Sequence, residues 1–200
     1  IADKIIAMLI GAMQLLRVGD PALLRTDLGP LIDGLALQRL QQHVQNLNNS
    51  NAQLLYQCRL NQQHEDGFYF APRVYQIHNL QQLASEVFGP ILHVLRWNTS
   101  NLAQRLSELR ATGYGLTFGL HSRIAARTER LYRDTLAGNV YVNRNMVGAV
   151  VGVQPFGGSG LSGTGPKAGG PHYLHRFATE RTLTINTAAI GGNAELLQSP

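Results

Sequence analysis

Ile5, Ile6, Leu9, Ile10, Met13 and Leu16 recur at helical spacing, and Gly19-Asp20-Pro21 closes the run. A second helix is expected from Asp33 as N-cap, with Leu37, Leu40, Val44 and Leu47 along one face. A polar turn at 46–51 follows, then a strand ending at Cys58 and a loop at 62–67. Beyond it the pattern alternates. Strands are expected at Arg73–Ile77, 91–97, 116–121 and Asn139–Val142, and helices at 80–87, Leu102–Ala111 and 123–136. Such alternation implies crossover units, hence an α/β fold whose largely parallel sheet is flanked by helices. Residues 181–186 alternate Leu183 and Ile185 with Thr182 and Thr184, and read as a β arm seeking a partner edge before the Gly191-Gly192 turn.

Residues 147–171 are crowded with glycine: Gly148, Gly152, Gly157, Gly158, Gly160 and Gly163, then Gly165, Gly169 and Gly170. Each forfeits backbone entropy on ordering, so no helix or strand interior tolerates that density. A long structureless loop is functional or disordered. This one leaves the carboxyl end of a strand, where open α/β sheets place their ligands. Gly158-Ser159-Gly160-Leu161-Ser162-Gly163 formally satisfies the dinucleotide pattern GxGxxG. That pattern must open a helix whose N-terminus carries the pyrophosphate, and Gly165, Pro166, Gly169, Gly170 and Pro171 forbid one. A P-loop fails as well, because Pro166 intrudes and Ala168 stands where a hydroxyl residue is required.

Composition narrows the picture only a little. Two hundred residues suit one domain or a piece of a longer protein, and a start at Ile1, inside a helical pattern and without an initiator Met, suggests an excerpt. A formal charge of +5 and a pI near 9.7 favour anions. The basic residues are scattered, with no tract like a nucleic-acid arm, so nucleic acid is not an expected partner of this segment. Cys58 is the single cysteine, which rules out an intrachain disulfide, and its strand position suits a small buried residue better than a nucleophile. No apolar run is long enough to span a membrane and no signal peptide is visible, making the cytoplasm the default location.

Three constellations invite a chemical reading. His172 and His175 could share a metal, but without a third ligand they read as structural. Met8 and Met13 share a helix face and read as core. Glu86-Val87-Phe88-Gly89-Pro90 is more pointed, joining a carboxylate, an aromatic ring and a chain-breaking pair ahead of a strand. As plain structure it terminates a helix and packs Phe88 into the core. As a site it sets Glu86 on sugar hydroxyls and Phe88 against a flat ring.

Glu86-x-Phe88-Gly89-Pro90, Gly115 through Ser122 (GLTFGLHS), Gly138-Asn139-Val140-Tyr141-Val142-Asn143 and Pro155-Phe156-Gly157-Gly158 stand in the order and spacing of aldehyde dehydrogenases. Gly29-Pro30-Leu31-Ile32 and Gly67 through Pro72 (GFYFAP) also resemble that family. The run 148–158 (GAVVGVQPFGG), the run 162–171 (SGTGPKAGGP) and the ending 184–193 are similar to the L-glutamate γ-semialdehyde dehydrogenase module of the proline utilization A family, short bifunctional type. That resemblance implies oxidation of the semialdehyde to glutamate with NAD, through a cysteine thiolate, hydride transfer and thioester hydrolysis.

Residue by residue, it implies that Glu86 binds the nicotinamide ribose and Phe88 supports the nicotinamide ring. Gly148 and Ala149 match the loop that anchors the substrate's α-carboxylate, where small residues let backbone N–H groups approach an anion. Phe156 matches an aromatic wall beside the aldehyde's aliphatic chain. The family's nucleophile and general base belong to segments expected upstream of Ile1, so no catalytic residue is assigned within this chain, and it is expected to be inactive alone. Residues 1–178 are expected to form the C-terminal portion of the catalytic domain, and 179–200 an oligomerisation arm and tail serving a homo-oligomer. The resemblance further implies a flavin (FAD) proline dehydrogenase domain in the same longer chain, with that protein a peripheral candidate at the inner membrane face. The rival reading is a non-catalytic aldehyde-dehydrogenase-like assembly module. A weaker third is a free-standing anion or nucleotide binder.

Overall fold

A computed structural model describes residues 1–61, 66–148, 150 and 152–186. The chain divides into two compact units, one of Ile1–Leu109 and the other made of the described residues from Arg110 on.

The first unit holds α1 (Ala2–Met13), α2 (Gly34–Asn49), β1 (Gln53–Gln57), β2 (Arg73–Ile77), β3 (Ile91–Leu95) and most of α3 (Leu102–Ala111). Its sheet runs β1-β2-β3, with β2 and β3 parallel and β1 antiparallel at the edge. Strand side chains alternate between faces, and here each face has its own helix. Val74 and Val94 pack with Met13 and Leu9 of α1, whereas Tyr75, Ile77 and Leu95 pack with Leu47 and Val44 of α2. Asp33 caps α2 as expected, its carboxylate accepting from Ala36 N at 2.7 Å.

Several expectations need correction. α2 runs on to Asn49, so the turn shrinks to Ser50 and Asn51, the latter left-handed at φ 58°. The helix expected at 80–87 is one 3-10 turn, Leu80–Gln82. The Gln82 side chain accepts from the His78 and Asn79 amides at its start and donates to Ser50 O, a set of ties that takes the place of helix propagation. Met13 is buried, but Met8 is 75% exposed and is not core. The loop at 62–67 lies mostly outside the described residues.

The second unit holds β4 (Tyr114–Gly115), β5 (Thr117–Leu120), α4 (Ala125–Asp134), β6 (Asn139–Val142) and β7 (Ser159–Gly160). β5 and β6 pair in parallel from Thr117↔Asn139 to Leu120↔Val142. The glycine-rich segment is not structureless. Its β7 pairs antiparallel with β4, and Phe156 bridges Ala168 through two backbone hydrogen bonds of 3.0 and 2.9 Å. No helix follows Gly163 before the short 3-10 turn Tyr173–Phe177. Residues 179–186 are exposed and in no strand, and the Gly191-Gly192 turn lies outside the described residues. Among the described residues no helix is long and apolar enough to cross a membrane.

Candidate functional site

In the first unit, Gly89 and Pro90 do the packing that sequence alone could have assigned to Phe88. A Cβ on Gly89 would stand 2.5 Å from a methyl of Leu40, which is itself 1% exposed. Pro90 O accepts from Arg73 N at 3.1 Å and Gly89 O from Ile91 N at 2.8 Å, fixing this corner to the starts of β2 and β3. Phe88 is thereby turned outward and is 89% exposed, so the core reading of Phe88 fails. Glu86, two residues earlier, is exposed as well. A carboxylate and a bare aromatic face set on a rigid corner suit hydroxyl groups and a planar ring.

Cys58 follows β1 and lies in the α1-facing core, 4% exposed, its Sγ 3.4 Å from Met13 O. Burial pushes its thiol above the usual range, away from thiolate chemistry. The structural reading of Cys58 holds.

In the second unit, Gly148 and the backbone flanking Phe156 are held by side chains of β6. Gly138 lies so close to Gly157 that any side chain would drive into the Gly157 carbonyl. Asn139, 8% exposed, uses both ends of its amide: Nδ2 donates to Pro155 O at 3.0 Å and Oδ1 accepts from Gly157 N at 3.3 Å. The two bonds bracket Phe156, which is half-buried. Tyr141, 5% exposed, donates through its hydroxyl to Gly148 O at 3.1 Å. Gly148 is left-handed at φ 67° with open space around its α-carbon, so backbone conformation and not crowding demands glycine there. Lys167 Nζ donates to Gly138 O, placing a cation behind the same clamp. Ala149 lies outside the described residues.

Sequence reasoning named Gly148 and Phe156 but missed Asn139 and Tyr141 as their supports. The available signal was the period of two that sets both residues on one face of β6. His175 lies on the 3-10 turn and His172 caps its start, with their rings 5.5 Å apart, and among the described residues no group of three metal-ligating side chains forms. A groove of about 660 Å³ beside α4 is lined by Ser122, Thr128, Tyr132 and Asn143, and one of about 710 Å³ beside α2 by Gln41, Cys58, Phe70 and Arg73. Neither contains a residue predicted for the site.

The model of the aldehyde dehydrogenase family matches residues 1–183, and the chain belongs to that family. It is 46% identical over 207 aligned residues to the bifunctional protein PutA of Salmonella typhimurium, covering 98% of the chain and 16% of that protein. It is 33% identical to a 1-pyrroline-5-carboxylate dehydrogenase of Geobacillus sp., covering 91% of the chain and 35% of that protein. A crystal structure of a Bradyrhizobium japonicum Proline Utilization A (PutA) variant superposes with a TM-score of 0.86 at 52% identity, covering 94% of the chain and 19% of that structure. The chain therefore spans only a minor part of these relatives, and its folded units are part of an aldehyde dehydrogenase domain.

Proposed function

We propose that this chain is the substrate-anchoring part of an NAD-dependent L-glutamate γ-semialdehyde dehydrogenase acting in proline catabolism. The observation that carries the reading is the loop from Gly148 to Gly157, held on β6 with a left-handed glycine at one end and Phe156 near the other. Similarity to PutA and to 1-pyrroline-5-carboxylate dehydrogenase supports the choice of substrate. Backbone amides at Gly148 and Ala149 hold the α-carboxylate, as small residues permit. Phe156 lines the aliphatic carbons and excludes water from them. Glu86 takes the ribose hydroxyls and Phe88 stacks on the nicotinamide ring, which the exposure of Phe88 supports. NAD, when bound, supplies the hydride acceptor.

The one cysteine is buried with its thiol pushed up, which does not suit it to attack an aldehyde. On this reading the isolated chain is inactive, and turnover belongs to a longer protein that adds a nucleophilic cysteine, a general base and a proline dehydrogenase domain with FAD. Residues 179–200 serve a homo-oligomer as an arm, a role supported by the exposed, unstranded course of 179–186. The test is NADH formation from L-glutamate γ-semialdehyde by the longer protein and by the chain alone. Activity in the first and none in the second is expected. Turnover by the chain alone would refute the division of labour.

A further inference from the structure

β6 presents Asn139 and Tyr141 on one face, both buried, and each directs its side-chain polar atoms at the glycine loop. Asn139 fixes the backbone on either side of Phe156, and Tyr141 fixes the carbonyl of Gly148. Phe156 is also fixed laterally by its backbone pairing with Ala168. One short strand thus sets the separation and orientation of the two parts of the loop that the proposed function assigns to the carboxylate and to the aliphatic chain.

Building on that reading, we propose that Asn139 and Tyr141 are positioning residues that determine specificity for an aldehyde carrying an α-carboxylate, by holding Gly148 and Phe156 in fixed register. Neither touches substrate. A loop so rich in glycine has little conformational preference of its own, and a left-handed residue such as Gly148 keeps its orientation only when something outside the loop holds it. The Tyr141 hydroxyl is that hold. Its removal leaves the ring in place, with Arg144 stacked 4.9 Å from the ring centroid, and frees the Gly148 carbonyl to rotate. Changing Asn139 to Asp keeps the acceptor for Gly157 N but turns an oxygen toward Pro155 O, where no proton is shared.

The experiment measures kcat/KM of the full-length enzyme carrying this chain, for L-glutamate γ-semialdehyde and for pentanal, an aldehyde of the same carbon count without the α-carboxylate and the α-amino group. Tyr141→Phe should lower the semialdehyde-to-pentanal ratio about three- to tenfold, the range expected for loss of one hydrogen bond, and mainly through KM for the semialdehyde. Asn139→Asp should lower it further. Leu131→Ala serves as the structural control: it opens the core of the same unit at a residue 4% exposed, and should lower the melting temperature while leaving the ratio where it was. An unchanged ratio in both β6 variants would overturn the inference, as would an equal shift from Leu131→Ala. If the unaltered enzyme fails to oxidise the semialdehyde while oxidising pentanal, the substrate reading falls, and this inference with it.

Discussion

The Nε2 atoms of His43 and His93 lie 2.9 Å apart, with the rings edge to face at 81°, tying α2 to β3. One nitrogen must donate and the other accept, so the pair has no room for a second proton on that axis. Burial depresses both rings, and His93 falls to about 4 through burial and then through repulsion from His43.

This fixes the sign of a pH effect. Between the ordinary value of 6.5 and about 4 the unfolded chain binds protons that the folded one refuses, so stability is present above 6.5 and is lost as pH falls through that window. Urea unfolding of the enzyme should show a lower midpoint for this unit at about pH 5 than at about pH 7, and His93→Gln should remove most of the difference. A midpoint that rises on acidification would contradict the geometry.

Phe88 separates packing from ligand binding. Being 89% exposed, it should be replaceable by alanine with a stability change within about 0.5 kcal/mol. In the full-length enzyme the same change should raise KM for NAD several-fold. A large fall in the melting temperature without any effect on NAD would show that Phe88 packs in the assembled protein instead.

Two glycines make a matched pair of opposite kinds. Gly138→Ala forces a methyl into the Gly157 carbonyl and should cost about 1–3 kcal/mol with a marked loss of semialdehyde turnover. Gly152→Ala meets open space and is opposed only by its left-handed φ of 76°, costing about 1–2 kcal/mol. Urea titrations together with steady-state kinetics would rank them, and equal turnover in both would argue against the clamp.

Cys58 should behave as core. Alkylation by iodoacetamide should be slow until the protein is denatured, and Cys58→Ala should retain dehydrogenase activity while lowering stability by about 1 kcal/mol. Loss of turnover at unchanged stability would make it a reacting group after all.

Local pattern carried much of this. Arg73–Ile77, Leu102–Ala111 and Asn139–Val142 fall where periodicity places them, and Asp33 caps α2, because these depend on neighbours in sequence. The helix expected at 80–87 failed because Gln82 finds Ser50, more than thirty positions earlier. Phe88 was ambiguous for a similar reason: Gly89 sits against Leu40, almost fifty positions earlier, while the Phe88 ring is left exposed. Spacing exposed the glycine loop as a feature, and the period of two put Asn139 and Tyr141 on one face of β6, but which loop atoms they and Ala168 hold depends on contacts distant in sequence.

On the proposed function, Gly148 and Ala149 receive the substrate's carboxylate and Phe156 its aliphatic chain. The most direct measurement is a crystal structure of the full-length enzyme with the product glutamate bound. The α-carboxylate should lie within hydrogen-bonding distance of the Gly148 and Ala149 amides, with Phe156 alongside the methylene carbons. Glutamate seated elsewhere in the active centre, with this loop making no contact to it, would rule out the anchoring role.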